Sequence, residues 1–202
     1  MKTGGITRRV ATVATGRTAN VVSLVLVNAI LARGWPMEQV GIALTLLVLV
    51  NSLLPLFQLG LPTSLLFFFP QRDGQGQLEL TLQSMLLLAA SGIALSVVLY
   101  LVGTPIARFL GVADPSGIRG FLLPFLPFAF AMVAGGFADA VLVSADRAPW
   151  MAALSVAQAL GSILVAGVAA LYSWPLTELL ALFSLVAAVR LGVGVVLVTR
   201  AL

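Results

Sequence analysis

Residues 40–69 read VGIALTLLVLVNSLLPLFQLGLPTSLLFFF. Thirty positions pass without one Asp, Glu, Lys or Arg. A helix of about 20 apolar residues crosses a hydrocarbon core of roughly 30 Å, so this run can span a bilayer. At a rise of about 1.5 Å per residue it would extend about 45 Å, more than a crossing needs. It also holds Pro55, Gly60 and Pro62. Each proline withholds an amide donor and crowds the preceding turn. The run therefore predicts a membrane helix that is kinked or broken. Transporters place such breaks where backbone lines a cavity. Gly and Pro are also common in membrane helices that simply pack, and both readings stay open.

The rest of the chain repeats the pattern. Further apolar runs cover residues 10–32, 81–107, 118–143, 149–173 and 176–199, joined by short segments carrying Pro, Gly or charge. Backbone polar groups in lipid must be satisfied within the segment, so runs of this length are helices. The alternating segments of about ten residues that build a membrane β-barrel are not seen. Composition agrees: 60% of the 202 residues are hydrophobic and 9% are charged, against about 25% charged in soluble proteins. The expected fold class is all-α membrane, a bundle of six transmembrane helices.

Most catalytic classes are excluded by what the chain lacks. It has no Cys and no His, which removes thiolate chemistry, the commonest metal ligand and the usual base near neutral pH. The seven carboxylates are scattered, with no pair spaced to hold a metal on one helix face. No Gly-rich loop with a Lys and no Ser–His pair is present. No cofactor, metal site or enzymatic activity is expected. The net charge of +4 belongs to residues flanking the apolar runs, so it reads as a topology signal and not as a nucleic-acid surface. With both termini inside, the cytoplasmic segments hold Lys2, Arg8, Arg9, Arg72, Arg147 and Arg200, with Arg17 just within the first helix. The outer loops hold Arg33, Arg108 and Arg119. The positive-inside rule favours that orientation. Trp35, Trp150 and Trp174 fall at helix ends, where interface anchors sit.

Three ionisable residues fall inside the predicted spans: Arg17, Asp139 and Arg190. A charge at that depth costs a few kcal/mol unless it faces the bundle interior or water. All three lie in the cytoplasmic half, and Asp139 can pair with Arg190 or Arg17. On helix 1, Arg17, Asn20, Leu24 and Asn28 fall within an arc of about 80° at 100° per residue. Asn51 and Gln58 share a face of helix 2 if the prolines preserve register, and Gln158 adds an amide to helix 5. Together these side chains predict a polar, net positive cavity for an anion or a hydrogen-bonding, sugar-like headgroup. A structural reading stands beside it: Arg17 can snorkel to lipid phosphates, and buried amides can tie helices together. Ala157, Gly161, Ser162 and Ala166 make a small-residue track on helix 5, read as a packing surface.

The stretch Leu59-Gly60-Leu61-Pro62-Thr63-Ser64-Leu65-Leu66-Phe67-Phe68-Phe69-Pro70 is more specific than composition. It resembles a stretch of prokaryotic polysaccharide flippases, in the multidrug/oligosaccharidyl-lipid/polysaccharide (MATE-like) superfamily. The segments 35–41, 105–111 and 144–149 resemble that family's loops in the same order. The resemblance implies one lobe of a two-lobed, pseudo-two-fold flippase with a central cavity. Such a protein would move polyprenyl-pyrophosphate-linked oligosaccharide across the inner membrane by alternating access, for surface polysaccharide biosynthesis. In related lipid flippases an Arg on helix 1 meets the pyrophosphate, and Arg17 occupies a similar place.

The expected substrate-binding residues are Arg17, Asn20, Asn28, Asn51, Gln58 and Arg190. With six helices and no internal repeat visible between residues 1–100 and 101–202, the chain resembles an N-terminal lobe. The expected partners are lipid-linked oligosaccharide, membrane lipid, and a missing C-terminal lobe or a homodimer partner. Two alternatives remain. A cation-coupled multidrug antiporter of the same superfamily would use Asp139 for ion coupling. A non-transporting scaffold would hold glycosyltransferases or a polymerase near their lipid substrate.

Overall fold

The computed structural model describes the backbone of residues 3–109 and 118–202, and their side chains except those of residues 3–10, 17, 106, 107 and 109. Helices α1 (Thr3–Gly34), α2 (Met37–Gln58), α3 (Leu61–Phe68), α4 (Gly74–Phe109), α5 (Ile118–Ala134), α6 (Gly136–Ser144), α7 (Ala148–Leu171) and α8 (Leu176–Thr199) follow one another. Among the described residues there is no strand. Six spans among the described residues are long and apolar enough to cross a membrane: Ala11–Gly34, Met37–Gln58, Gly74–Pro105, Ile118–Ser144, Ala148–Leu171 and Leu176–Thr199. On α4, Leu78, Leu82, Leu86, Ile93, Val97 and Leu101 are all exposed. So continuous an apolar stripe needs lipid against it. The chain is a multi-pass membrane protein.

The long second run is broken, at Leu59–Gly60. Pro55 sits inside α2. Pro62 would have to donate to the Gln58 carbonyl to continue that helix and has no N–H to do so. The chain turns instead through two left-handed residues, Leu59 (φ 52°) and Gly60 (φ 67°), before α3 restarts. Gly60 takes that conformation without a Cβ penalty, whereas Leu59 holds it at a cost of roughly 1–2 kcal/mol.

A second break was not expected. The run 118–143 reads as one helix, yet it divides at Gly135 into α5 and α6. The Gly135 amide bonds the Ala131 carbonyl at 2.8 Å, while its own carbonyl accepts from Ala138, three residues on, at 3.1 Å. The two breaks are neighbours. A Cβ on Gly136 would lie 2.9 Å from Gln58 Nε2 and 3.2 Å from the Pro62 ring, and α3 packs on α6.

The third span begins at Gly74, ahead of the apolar run at 81. Asp73 caps it, with its carboxylate oxygen accepting the Gly76 amide at 3.0 Å and its carbonyl accepting Gln77 at 2.8 Å. The acidic N-cap is an ordinary helix start, invisible to a count of apolar residues. Two helix C-termini share a different construction. After α6, Arg147 N–H bonds the Leu142 carbonyl at 2.7 Å and Asp146 N–H bonds Val143 at 3.3 Å, with Asp146 left-handed. After α7, Trp174 bonds Ala169 at 3.0 Å and Ser173 bonds Ala170 at 3.3 Å, with Ser173 left-handed. Both are Schellman ends, which satisfy helix-terminal carbonyls and fix the direction of the departing chain.

Helix α1 lies along α7, α4 along α5, and α5 along α8. The α1–α7 seam is close because Gly16 meets Ala152 and Ser155, and Gly34 meets Ala170. The helix-5 track is not a single packing surface. Ala166 is buried, but Gly161 faces Val186 of α8, Ala157 is exposed and Ser162 lines a cavity. Trp150 is half exposed at one end of the bundle. At the other end Trp35 is buried and donates its indole N–H to the Trp174 carbonyl at 3.0 Å. Trp35 is thus a clasp between helix ends and not an interface anchor.

Candidate functional site

Because α1 packs on α7, it hardly touches α2. Between the two helices opens a cavity of about 330 Å³. Its polar lining comes from four helices: Asn20 and Ser23 of α1, Asn51 of α2, Gln158 and Ser162 of α7, and Arg190 of α8. Phe128 and Met132 of α5 and Phe183 of α8 supply apolar wall. A second recess of about 310 Å³ shares Leu24, Leu47 and Asn51 with the first and adds Asn28 and Ser52. Asn20, Leu24 and Asn28 of the helix 1 stripe therefore face an open cleft, with Asn20 in the main cavity and Asn28 in its extension.

Several of these groups are incompletely satisfied by the protein. Gln158 Oε1 and Asn28 Oδ1 are buried and accept no hydrogen bond among the described residues. Gln158 Nε2 reaches only the Met132 sulfur, at 3.8 Å. Asn51 turns its amide nitrogen back to the Leu47 carbonyl at 2.8 Å, and Ser23 Oγ donates to the Asn20 carbonyl at 2.9 Å. A buried acceptor without a donor costs about 1–3 kcal/mol. Of the bonds just given, only that from Gln158 to the Met132 sulfur joins two helices.

Arg190 stands at the edge of the cavity, bound to Asp139 of α6. One guanidinium nitrogen lies 2.7 Å from Asp139 Oδ2 and 3.0 Å from Oδ1. Close approach of α6 and α8 permits this, since a Cβ on Gly194, one turn beyond Arg190, would lie 3.1 Å from the Ala138 methyl. The Arg190 side chain is 17% exposed and that of Asp139 36%. Asp139 with Arg190 is one of the two pairings open from sequence; the other involves Arg17, whose side chain lies outside the described residues.

The other expected residues distribute as follows. Asn20, Asn51 and Arg190 meet in the main cavity, and Asn28 joins them through the recess. Gln58 lies apart, against Gly136 at the paired breaks, and lines neither space. The Arg17 side chain lies outside the described residues, as do those of Arg8 and Arg9 and part of the 105–111 loop. Gln158 is expected from sequence to add to the polar cavity but is not among the expected ligands, and Ser162 and Ser23 are expected in neither role. The first two had a signal, because positions 158 and 162 share one face of a helix. Among the described residues no group of His, Cys, Asp or Glu could hold a metal ion. Compared with protein-family models, curated proteins and solved structures, the chain matches none.

Proposed function

We propose that this chain forms a cavity-bearing lobe of a membrane transporter for an anionic, lipid-linked oligosaccharide. The carrying observation is the convergence of Asn20, Ser23, Asn51, Gln158, Ser162 and Arg190 on one cavity within an otherwise apolar bundle. The amide and hydroxyl side chains of the lining suit the hydroxyl groups of a sugar, and an arginine suits phosphate. A space of about 300–1,000 Å³ is usual for small-molecule sites, so one headgroup unit fits. The cleft between α1 and α2 gives a lipid-linked group a lateral way in. The likeness of residues 59–70 to polysaccharide flippases points the same way, toward a polyprenyl-pyrophosphate carrier.

In this reading Asp139 neutralises Arg190 while no anion occupies the cavity, and a pyrophosphate competes for the guanidinium. Arg17, one turn before Asn20 on α1, adds the second positive charge. The breaks at Leu59–Gly60 and Gly135 supply hinges for alternating access. A second lobe, from further chain or a second copy, closes the open side. Both termini lie in the cytoplasm and the host membrane is the inner membrane. The cation-coupled antiporter draws less support, because a guanidinium 2.7 Å from the Asp139 carboxylate opposes a coupling cation at the same oxygens. The scaffold reading draws less too, since a scaffold has no use for a polar cavity within an apolar bundle.

The test is translocation of a fluorescent polyprenyl-pyrophosphate oligosaccharide in vesicles holding the native full-length protein. A membrane-impermeant reductant reports the label in the outer leaflet. The reading expects fast equilibration between leaflets that slows at least about tenfold in Asn51→Leu/Gln158→Leu, the loss of two hydrogen bonds at the site. Leaflet exchange no faster than in protein-free vesicles sinks it.

A further inference from the structure

Away from the central cavity, Arg147 and Arg200 share a pocket of about 130 Å³ at the membrane face formed by the α6–α7 turn and the end of α8. They are distant in sequence and come together for identifiable reasons. The Schellman turn closed by Arg147 N–H on the Leu142 carbonyl, at 2.7 Å, holds Arg147 beside Leu142. The last turn of α8 is tied down by Arg200 N–H on Val196 and Ala201 N–H on Val198, at 3.2 and 2.9 Å. Trp150 and Leu197 complete the walls.

Two like charges at one pocket repel, and no acidic side chain lines it. Neither arginine makes an ion pair among the described residues. The positive end of α7, which begins at Ala148, adds to the same field. The electrostatics call for an anion. The walls say which kind: Leu142 is buried, Trp150 is half exposed at the membrane edge, and the adjoining α8 face presents exposed Val193 and Val196. A group with a charged head and apolar tails fits both halves.

We propose that Arg147 and Arg200 form a binding site for the phosphate of a net-anionic membrane lipid, with Trp150 and the α8 valines against its acyl chains. The site is independent of the transport reading. Its occupant ties the α6–α7 turn to the end of α8, and so couples local lipid charge to the two helices that carry Asp139 and Arg190. Basic pockets between membrane helices bind anionic headgroups in this way.

Trp150 is the reporter. The chain has three Trp, and Trp35→Phe/Trp174→Phe leaves Trp150 alone. Its fluorescence is measured in vesicles with tail-brominated phosphatidylglycerol or tail-brominated phosphatidylcholine. The expected result is a preference for phosphatidylglycerol, about fivefold for each arginine, lost in Arg147→Gln/Arg200→Gln. Arg72→Gln, on the same membrane face but outside the pocket, keeps it. Equal quenching by both lipids overturns the proposal, as does equal loss in Arg72→Gln, which means diffuse surface charge. Displacement of the lipid by inorganic phosphate assigns the pocket to a free anion and overturns the lipid. If the double Trp variant does not fold, native mass spectrometry of the unaltered chain with the two lipids gives the same comparison. Retention of phosphatidylglycerol no greater than phosphatidylcholine then contradicts the site.

Discussion

Arg190 and Asp139 meet through one guanidinium nitrogen that reaches both carboxylate oxygens, at 2.7 and 3.0 Å. Arg190 also lines the cavity, so the pair joins cavity to framework. Removing one partner leaves the other charge exposed to a low-dielectric surrounding, which costs about 3–5 kcal/mol for a fully buried pair. Asp139 is a third exposed, so the expected loss for Asp139→Ala is smaller, about 1–2 kcal/mol. Asp139→Leu/Arg190→Leu is expected to recover most of it. Thermal unfolding of the four members of the cycle in detergent checks this; a double variant as unstable as the sum of the singles contradicts the coupling.

The cavity amides give a sharper contrast. A structural amide loses stability when replaced. Gln158 has a buried oxygen with no donor and a nitrogen facing only sulfur, so Gln158→Leu is expected to be neutral or stabilising by about 1 kcal/mol. It should at the same time weaken retention of lipid-linked oligosaccharide. Thermal shift and ligand retention, measured on one preparation, separate the two effects.

The paired breaks predict a steric dependence. Gly136→Leu drives a side chain into Gln58 and Pro62, where even a Cβ meets atoms at 2.9 and 3.2 Å, and should cost about 1–3 kcal/mol. Gly136→Ala costs less, because the Gln58 amide is a flexible end and can withdraw. Gln58→Ala is expected to restore Gly136→Ala fully and Gly136→Leu in part. Unfolding midpoints of the four variants test the contact.

At the α1–α7 seam the neighbour is backbone. A Cβ on Gly16 would lie 3.3 Å from Ala152 Cα, which cannot swing away. Gly16→Leu is therefore expected to separate the helices at a cost of about 1–3 kcal/mol. Protease accessibility of α1 should rise with it. Unchanged protection would contradict the packing.

What the sequence disclosed follows from range. Spans are local and one-dimensional, so 40–69 announced a membrane helix and Pro62 announced its interruption. The stripe Asn20, Leu24 and Asn28 was legible because helical periodicity alone determines it. The break at Gly135 was not, since Gly-Gly within an apolar run is compatible with a continuous helix until Gln58 and Pro62 are brought against Gly136. The Asp73 cap lies ahead of the apolar run that marks the third span. Periodicity groups Asn51 with Gln58, and both do lie on α2, but Gln58 is the helix's last residue, two turns along the axis from Asn51, and meets Gly136 beyond the cavity. Ser162 looked like packing because its face of α7 depends on where α1 and α8 sit, a tertiary fact.

The cavity's occupant can be caught where it binds. A benzophenone side chain is placed by amber suppression at Ser162, in the cavity wall, or at Leu164, which is 66% exposed on the lipid-facing side of the same helix. Cells are irradiated and the purified protein is analysed by mass. The account predicts a saccharide-bearing, pyrophosphate-linked lipid adduct at position 162, sensitive to mild acid, with only ordinary phospholipid at 164. The same phospholipid adducts at both positions, with no saccharide at 162, would contradict it.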